Sequence, residues 1–221
     1  MSLIFRDVWK AYRDMDYVLK GANLTISQGE RVVIQGRSGA GKSTLLRIMG
    51  LLEEASKGDI SILNRNAREL SDKEASKIRL NSIGFVFQSP NLIPHLTILE
   101  NIEIPLYLAG QPSDDRKKIG LGLLEKFGIS HLSERYPNET SLGEQQRAAT
   151  IRALVNEPKI ILADEPVAHL DEENSRHLFE MLESFRRNHK ASVVITSISG
   201  EEIYRSETRY ILSNGILKKS S

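Results

Sequence analysis

The run GRSGAGKS at residues 36–43 has the residue types and spacing of a phosphate-binding loop. Glycines allow successive backbone N–H groups to turn inward around phosphate oxygens. Lys42 would reach the β- and γ-phosphates, and the Ser43 hydroxyl would bind Mg²⁺. A helix predicted directly after the loop would point the positive end of its dipole at the anion. A glycine-rich turn that only caps a helix is the alternative, which the position of the motif between a strand and a helix disfavours. We therefore assign to nucleotide binding Gly36, Ser38, Gly39, Ala40, Gly41, Lys42, Ser43 and Thr44.

Two adjacent carboxylates, Asp164 and Glu165, end the apolar run KIILADE. A continuous apolar run is typical of a strand buried on both faces of a parallel sheet, and ligands of such folds bind at the C-terminal edge. Asp164 would hold Mg²⁺, while Glu165 would orient or deprotonate an attacking water. A solvated turn is the ordinary alternative for such a pair. Together with the phosphate-binding loop, the pair favours catalysis, with Lys42 and Glu165 as catalytic residues.

The elements that must position these residues are alternating strands and helices. Residues 3–35 predict short strands, the last of which, RVVIQ, leads directly into the loop. The run SVVIT at residues 192–196 predicts another buried strand. Apolar residues at helical spacing within 178–185 predict a crossover helix packed on the sheet. Asn214 and Gly215, between apolar runs, predict a hairpin with a two-residue turn.

Residues 91 to about 158 contain helical stretches, including DDRKKIGLGLLEKFG, and no convincing buried strand. The predicted fold is α/β: a P-loop NTPase with a mixed, mostly parallel sheet, antiparallel strands at the N-terminal end and an inserted helical lobe. We expect one domain over residues 1–221, with its core at about 1–90 and 159–221 and the lobe at about 91–158.

Charge and composition disfavour several kinds of partner and site. The chain has 221 residues, with Lys+Arg 30 against Asp+Glu 29, so it lacks the basic excess that nucleic-acid binding requires. It has no cysteine, which excludes disulfides and thiolate metal sites and fits a reducing compartment. The opening MSLIFRDVWK is charged where a signal peptide is apolar, and no apolar run approaches the roughly 20 residues that span a bilayer. We expect a cytoplasmic chain whose membrane role comes through a partner.

The order of the motifs resembles, over essentially the whole chain, the nucleotide-binding subunits of the ATP-binding cassette (ABC) transporter family. GFVFQSPNLIPHLTILENIEIPL is similar to the Gln loop of that family, with Gln88 as its glutamine. TSLGEQQRAATIRAL lies where the signature Leu-Ser-Gly-Gly-Gln would lie, and AHLD is similar to the aspartate loop, with Asp171. The resemblance implies that Gln88 serves catalysis and Mg²⁺ binding. It also implies that Tyr12 stacks on adenine, against the equally weighted alternative of a core or edge-strand tyrosine.

The same resemblance implies how such a chain works. Two cassettes would face each other head to tail, with each ATP held between the phosphate-binding loop of one and the signature of the other, here Ser141 and Gly143. ATP and Mg²⁺ would be the cofactors. Closure would move a transmembrane permease subunit, which would contact about residues 88–105 and hold the chain at the inner face of the membrane. The Gln-loop segment is most similar to the small cassettes of lipoprotein-release and macrolide-export machines. Whether the partner cassette is identical or different stays open.

Two departures from the family pattern affect the expected activity. Leu142 stands where the family has glycine, and Glu144 adds a negative charge near an anion, although Ser141 and Glu144 also fit a capping box. Ser197 stands where the family has its switch histidine. The five histidines, none in that slot, are expected to be surface or packing residues. If the altered residues cost about 1.4 kcal/mol at each ATP site, the affinity for the closed dimer would fall roughly tenfold for each ATP.

These features leave three hypotheses for the activity. The first is a slow ATP hydrolase of a transporter, favoured by Glu165, Lys42 and Gln88. The second is an ATP-binding regulatory cassette with negligible hydrolysis, or the degenerate half of a heterodimer, favoured by the missing histidine. The third is a cassette acting on ribosomes or DNA, which near-neutral charge and the lack of a paired cassette or coiled-coil insertion disfavour.

Overall fold

Two β-sheets and six α-helices build the chain within residues 1–13, 16–198 and 208–220, which the computed structural model describes. The strands are β1 Leu3–Ala11, β2 Tyr17–Ile26, β3 Arg31–Gln35, β4 Lys57–Ile62, β5 Arg65–Asn66, β6 Ile83–Val86, β7 Ile160–Asp164, β8 Ser192–Ser197, β9 Thr208–Ser213 and β10 Ile216–Ser220. The α-helices are α1 Lys42–Met49, α2 Asp72–Ser82, α3 Ile98–Leu108, α4 Ser113–Lys126, α5 Leu142–Leu154 and α6 Glu172–His189.

The larger sheet carries the candidate site at one of its edges. Its strand order is β10-β9-β3-β8-β7-β6, with β10 antiparallel to β9 and the other neighbours parallel. Strand β8 is buried throughout, and β7 is buried up to its last residue, because both faces are covered. The prediction of a mixed, mostly parallel sheet is confirmed.

The smaller sheet is antiparallel and has the order β2-β1-β4-β5. Strands β1 and β2 alternate buried and exposed residues over part of their length, as expected when one face packs on the core. Strands β4 and β5, the short strand β6 and helix α2 lie outside the elements that the sequence predicted. The N-terminal antiparallel strands were predicted correctly.

Helices cover both faces of the larger sheet. Helix α1 and the smaller sheet enclose one apolar cluster, which includes Leu45, Ile48 and Ile34. Helix α6 packs on the opposite face through Leu178, Leu182 and Phe185. Because α6 connects the adjacent parallel strands β7 and β8, the predicted crossover helix is confirmed.

The stretch from residue 91 to 158 forms a third apolar cluster made by α3, α4 and α5. The buried Asn101 fixes its entry loop: Nδ2 donates to the carbonyl oxygens of Ile93, Leu96 and Thr97, and Oδ1 accepts from the Ile93 N–H at 2.7 Å. The stretch contains three α-helices and short 3-10 helices, as the sequence predicted. Its division from the core as a lobe remains a prediction.

The predicted hairpin joins β9 to β10 and closes beside the phosphate-binding loop. Its turn residues Asn214 and Gly215 have φ of 50° and 80°, the left-handed conformation that a two-residue hairpin turn requires. The Gly215 carbonyl accepts from the Lys20 N–H at 2.8 Å, which ties the hairpin to β2.

An ion-pair cluster connects α6 to the start of β3, and its loss should be visible in the pH dependence of stability. Hydrogen bonds from Arg186, followed by contributions from Arg187 and Arg31, lower the pKa of Glu183 from 4.5 to about 2. Because the folded-state pKa is depressed, this stabilisation is complete above pH 4.5 and is lost as the pH falls towards 2.

We therefore expect Glu183→Gln to lower the free energy of unfolding by roughly 1–3 kcal/mol at pH 7. The difference from the parent should shrink steadily below pH 4.5. Urea unfolding followed by circular dichroism between pH 7 and pH 3.5 measures it. A difference independent of pH would contradict the role given to the Glu183 charge.

Candidate functional site

The phosphate-binding loop runs from the end of β3 to the first residue of α1. A Cβ added at Gly36 would lie 2.4 Å from the carbonyl oxygen of Leu212, so the backbone approaches β9 too closely for any side chain. Gly41 precedes the helix with φ 102°, a conformation strained for other residues. The loop thus needs glycine at these two positions for its shape.

An open cleft of about 750 Å³ lies against this loop. The predicted binding residues Gly36, Ser38, Gly39 and Ala40 line it, together with the turn of the β9–β10 hairpin and the start of β2. The later part of the predicted site, residues 41–44, does not line it. The cleft is large enough for a nucleotide, since ligand sites typically measure roughly 300–1,000 Å³.

Lys42 is 4% exposed and brings the loop together with Asp164 and Glu165 at the C-terminal end of β7, here called the carboxylate edge. Its Nζ donates to the carbonyl oxygens of Gly36 at 2.7 Å and Arg37 at 3.0 Å, and lies 3.0 Å from Oε1 of Glu165. Two predicted catalytic residues therefore meet across the site. A bound phosphate would compete with Glu165 for the Lys42 ammonium, since both are anionic.

The carboxylate edge is held by a threonine that the sequence analysis missed. Asp164 ends β7 and lies opposite Thr196 of β8 in the parallel register. The Thr196 hydroxyl donates to Oδ1 of Asp164 at 2.7 Å and accepts from the Glu165 N–H at 3.0 Å. Glu165 has φ 44°, so the chain turns sharply as soon as the strand ends. Thr196 ends the predicted strand SVVIT, but its pairing depends on register.

The arrangement fits a magnesium nucleotide. The start of α1 and the loop N–H groups suit phosphate. Ser43 and Asp164, with the Gln88 amide, offer the oxygen ligands that Mg²⁺ takes. The described residues contain no group of three or more His, Asp or Glu side chains that could hold a metal by themselves. Phosphate oxygens would therefore complete the coordination, as is usual for Mg²⁺.

Gln88 follows β6, next to the carboxylate edge, and its side chain is exposed. Its Nε2 lies 3.2 Å from Nε2 of His169. His169 was expected to be a surface or packing residue; it is exposed, but it also contacts a predicted site residue.

Tyr12 and Thr44, both predicted to bind nucleotide, contact each other. The Tyr12 hydroxyl lies 3.1 Å from the Thr44 hydroxyl and donates to Oε2 of Glu53 at 2.9 Å. Tyr12 is 54% exposed, so its side chain remains accessible to a base. Stacking on adenine stays a prediction.

The signature segment begins α5, away from the cleft of the same chain. Ser141 caps the helix: its hydroxyl accepts from the Glu144 N–H, and Oε2 of Glu144 accepts from the Ser141 N–H at 2.8 Å. The Ser141 N–H, followed by the Ser141 hydroxyl, which also donates to Oε2 at 2.8 Å, lowers the pKa of Glu144. The predicted capping box is confirmed, and Leu142 projects outward, 44% exposed.

At Gly143 any larger residue would require the Asn174 side chain to shift. A Cβ there would lie 2.6 Å from the side chain of Asn174, which donates to Oδ2 of Asp171 at 2.7 Å. The signature therefore packs directly on the start of α6. Hydrogen bonds from Asn174 also lower the pKa of Asp171, which caps that helix.

Ser197 is buried at the end of β8, opposite Gln35. Its carbonyl accepts from the Gly36 N–H at 3.1 Å, which places this residue beside the phosphate-binding loop, where the resemblance puts the switch histidine. Among the other histidines, His189 stacks on Phe185 at 4.2 Å and His131 lies 3.8 Å from Glu144, as expected of packing or surface residues.

Comparison with known proteins decides the family. The family model described as "ABC transporter" matches residues 19–168, well over half of the chain. The chain belongs to the ABC transporter family. This ABC cassette is 42% identical over 194 residues to an uncharacterized ABC transporter ATP-binding protein of Thermotoga maritima, covering 86% of this chain and 82% of the relative. It is 41% identical over 204 residues to the lipoprotein-releasing system ATP-binding protein LolD of Blochmanniella floridana, covering 92% and 87%.

Solved cassettes share the fold of this ABC cassette. The dimeric, post-hydrolysis structure of the ATP-binding cassette MJ0796, bound to ADP and Pi, superposes with a TM-score of 0.91 at 36% identity, covering 99% of this chain and 98% of the other. The predicted P-loop NTPase fold and the family are thus confirmed. The chain is an ATP-binding cassette ATPase, with ATP or ADP as its nucleotide. Within the described residues, no helix combines the length and apolar character needed to cross a bilayer.

Proposed function

We propose that this ABC cassette hydrolyses Mg²⁺-ATP to drive a membrane permease, as one of two cassettes that ATP brings together, and that its turnover is reduced. The observation that carries the proposal is the meeting of Lys42, from the phosphate-binding loop, with Glu165, at the carboxylate edge, at 3.0 Å. This contact supports the proposal, because it brings a cation suited to phosphate next to a carboxylate that can act as a base.

Different side chains of the cassette have different roles in the proposed hydrolysis. The loop N–H groups and Lys42 bind and orient the phosphates. Glu165 takes a proton from the attacking water, and its backbone is fixed by Thr196. Ser43, Asp164 and Gln88 would hold Mg²⁺, which would neutralise charge on the phosphates.

The signature supports the assignment of two cassettes to one working unit. Ser141 and Leu142 are exposed at the start of α5, Gly143 is buried against Asn174, and none of the three lines the cleft of its own chain. The exposed start of α5 supports a contact with the nucleotide of another cassette. The solved structures of MJ0796 are described as dimeric, and one of them holds ADP and Pi.

A groove between α3 and the β6 region supports docking of a permease segment. It measures about 530 Å³ and includes Ile93, Ile104 and Pro105 from the predicted contact region 88–105. Leu52 and Leu108 at its walls are exposed apolar residues. The relative LolD is named as part of a lipoprotein-releasing system, and a comparable membrane machine is the proposed partner here.

The two departures should each lower ATP-driven association and turnover. Leu142 places an apolar side chain at the signature, and Ser197 is too short to contact the γ-phosphate directly as an imidazole would. We expect Leu142→Gly with Ser197→His to raise both association and turnover, by about tenfold per site if each costs about 1.4 kcal/mol. Gel filtration with ATP and a steady-state ATPase assay measure them. If neither association nor turnover changes, the hypothesis that Leu142 and Ser197 weaken the ATP sites of a homodimer is wrong.

One experiment tests the proposed function as a whole. The purified chain is assayed for ATP hydrolysis with Mg²⁺ and with EDTA, alone and with each candidate permease recovered by pull-down from its host. Magnesium-dependent turnover that the permease changes is the expected result. Saturable ATP binding without turnover under every condition would instead favour the alternative, an ATP-binding regulatory cassette or the degenerate half of a heterodimer.

A further inference from the structure

The Gln loop is held from two sides by elements that are remote in sequence. The carbonyl of Phe87 accepts from Nε2 of the buried Gln146 at 2.7 Å, which ties the backbone to the signature helix α5. The next residue, Gln88, places its side-chain Nε2 3.2 Å from Nε2 of His169. The backbone is thus anchored to α5, and the side chain is anchored beyond β7.

His169 is itself held in a defined turn. The Ala168 N–H donates to the Glu165 carbonyl at 3.1 Å, and the Leu170 N–H donates to the Val167 carbonyl at 3.0 Å. The Val167 side chain is buried in the core cluster under α6. Because β6 and β7 are adjacent and parallel, their carboxyl ends meet, and the segment after β7 lies within reach of Gln88.

The direction of the hydrogen bond follows from the orientation of the Gln88 amide, which has Nε2 against the ring. In this orientation the glutamine Nε2 donates, the ring Nε2 of His169 accepts, and the ring proton lies on Nδ1. The other atom of the same amide, Oε1, then remains as the acceptor. Mg²⁺ binds oxygen, and a water donates to oxygen, so only this orientation of the amide is useful at the site.

We propose that His169 is a positioning residue, which holds the Gln88 amide with Oε1 as the atom available to the metal ion or the attacking water. Without the imidazole, the amide would turn over freely and present Nε2 part of the time. The catalytic consequence rests on the proposed function, whereas the contact itself does not.

The first test uses the chain without nucleotide. In a ¹⁵N–¹H spectrum, the side-chain amide pair of Gln88 is assigned by its loss in Gln88→Glu. His169→Leu keeps bulk but removes the acceptor, and it should move this pair towards the values of a solvent-exposed glutamine. His169→Gln keeps an acceptor oxygen at similar reach and should retain the parent values. His177→Leu, at an exposed position on α6, is the matched control. An unmoved Gln88 pair in His169→Leu would overturn the proposal.

The second test measures hydrolysis by the same variants. We expect His169→Leu to lower kcat about threefold to tenfold with KM for ATP within about twofold, the size of one net hydrogen bond. His169→Gln should restore kcat. An unchanged kcat, or a loss that His169→Gln does not repair, would overturn the positioning role. If the parent shows no turnover, the proposed function fails instead, and the Gln88 spectrum alone decides the contact.

Discussion

Lys42→Ala is expected to weaken Mg²⁺-ATP binding by about tenfold to a hundredfold, because a hydrogen bond to a charged group contributes roughly 1.5–3 kcal/mol. In the structure, the Lys42 ammonium is buried and directs its hydrogens at two loop carbonyls and at Glu165. With ATP bound, we expect the same ammonium to contact the phosphates. Equilibrium titration with a fluorescent ATP analogue, with and without Mg²⁺, measures the loss.

Two further variants separate the charge of Lys42 from its packing. Lys42→Met keeps most of the buried stem and should lose affinity as Lys42→Ala does, which would assign the effect to the ammonium. Lys73→Ala removes an exposed lysine from α2 and should bind ATP as the parent does. Parent-like ATP affinity in Lys42→Ala and Lys42→Met would contradict the assignment of residues 36–43 as the phosphate-binding loop.

Glu165→Gln is expected to lower ATP turnover by about a hundredfold or more, the usual contribution of a general base. The amide is nearly isosteric with the carboxylate but cannot take a proton from water. ATP affinity should be retained or increased, since the substitution removes the negative charge that lies 3.0 Å from the Lys42 ammonium and competes with phosphate for it. Steady-state hydrolysis and equilibrium binding, measured on the same preparation, give the two quantities.

The control for Glu165→Gln is Glu173→Gln, which removes an exposed carboxylate from the first turn of α6. Its turnover should equal that of the parent. Equal rates for Glu165→Gln and the parent would contradict the hydrolase assignment and favour a regulatory cassette. Reduced affinity in Glu165→Gln would contradict the competition between Glu165 and phosphate for Lys42.

Several features of this chain could be predicted because they are local in sequence. The loop at 36–43 is recognisable from glycine spacing, and the capping box at Ser141 from two residues three apart. The continuous apolar run before Asp164 indicated a buried strand, and Asn214-Gly215 indicated the hairpin turn. Each signal is complete within about ten residues, so no knowledge of distant contacts is needed to read it.

Other elements gave weak local signals. Strand β6 has four residues and β5 has two, and α2 is largely exposed with Ile78 as its buried residue, so none of them shows a clear period. Their existence depends on neighbours in space: β6 completes the edge of the larger sheet, and β4 and β5 pair beyond β1. Tertiary pairing, rather than propensity, sets such short strands.

The sequence by itself determined the family pattern, the phosphate-binding loop, the two carboxylates and the altered residues Leu142 and Ser197. Only the tertiary structure decided which of these groups touch: Lys42 with Glu165, Thr196 with Asp164, Gln88 with His169, and Gly143 with Asn174. The two residues of each pair lie far apart along the chain, from 31 positions for Gly143 and Asn174 to 123 positions for Lys42 and Glu165. The register of parallel strands and the packing of helices on them bring such groups together, and neither is written in any short stretch of sequence.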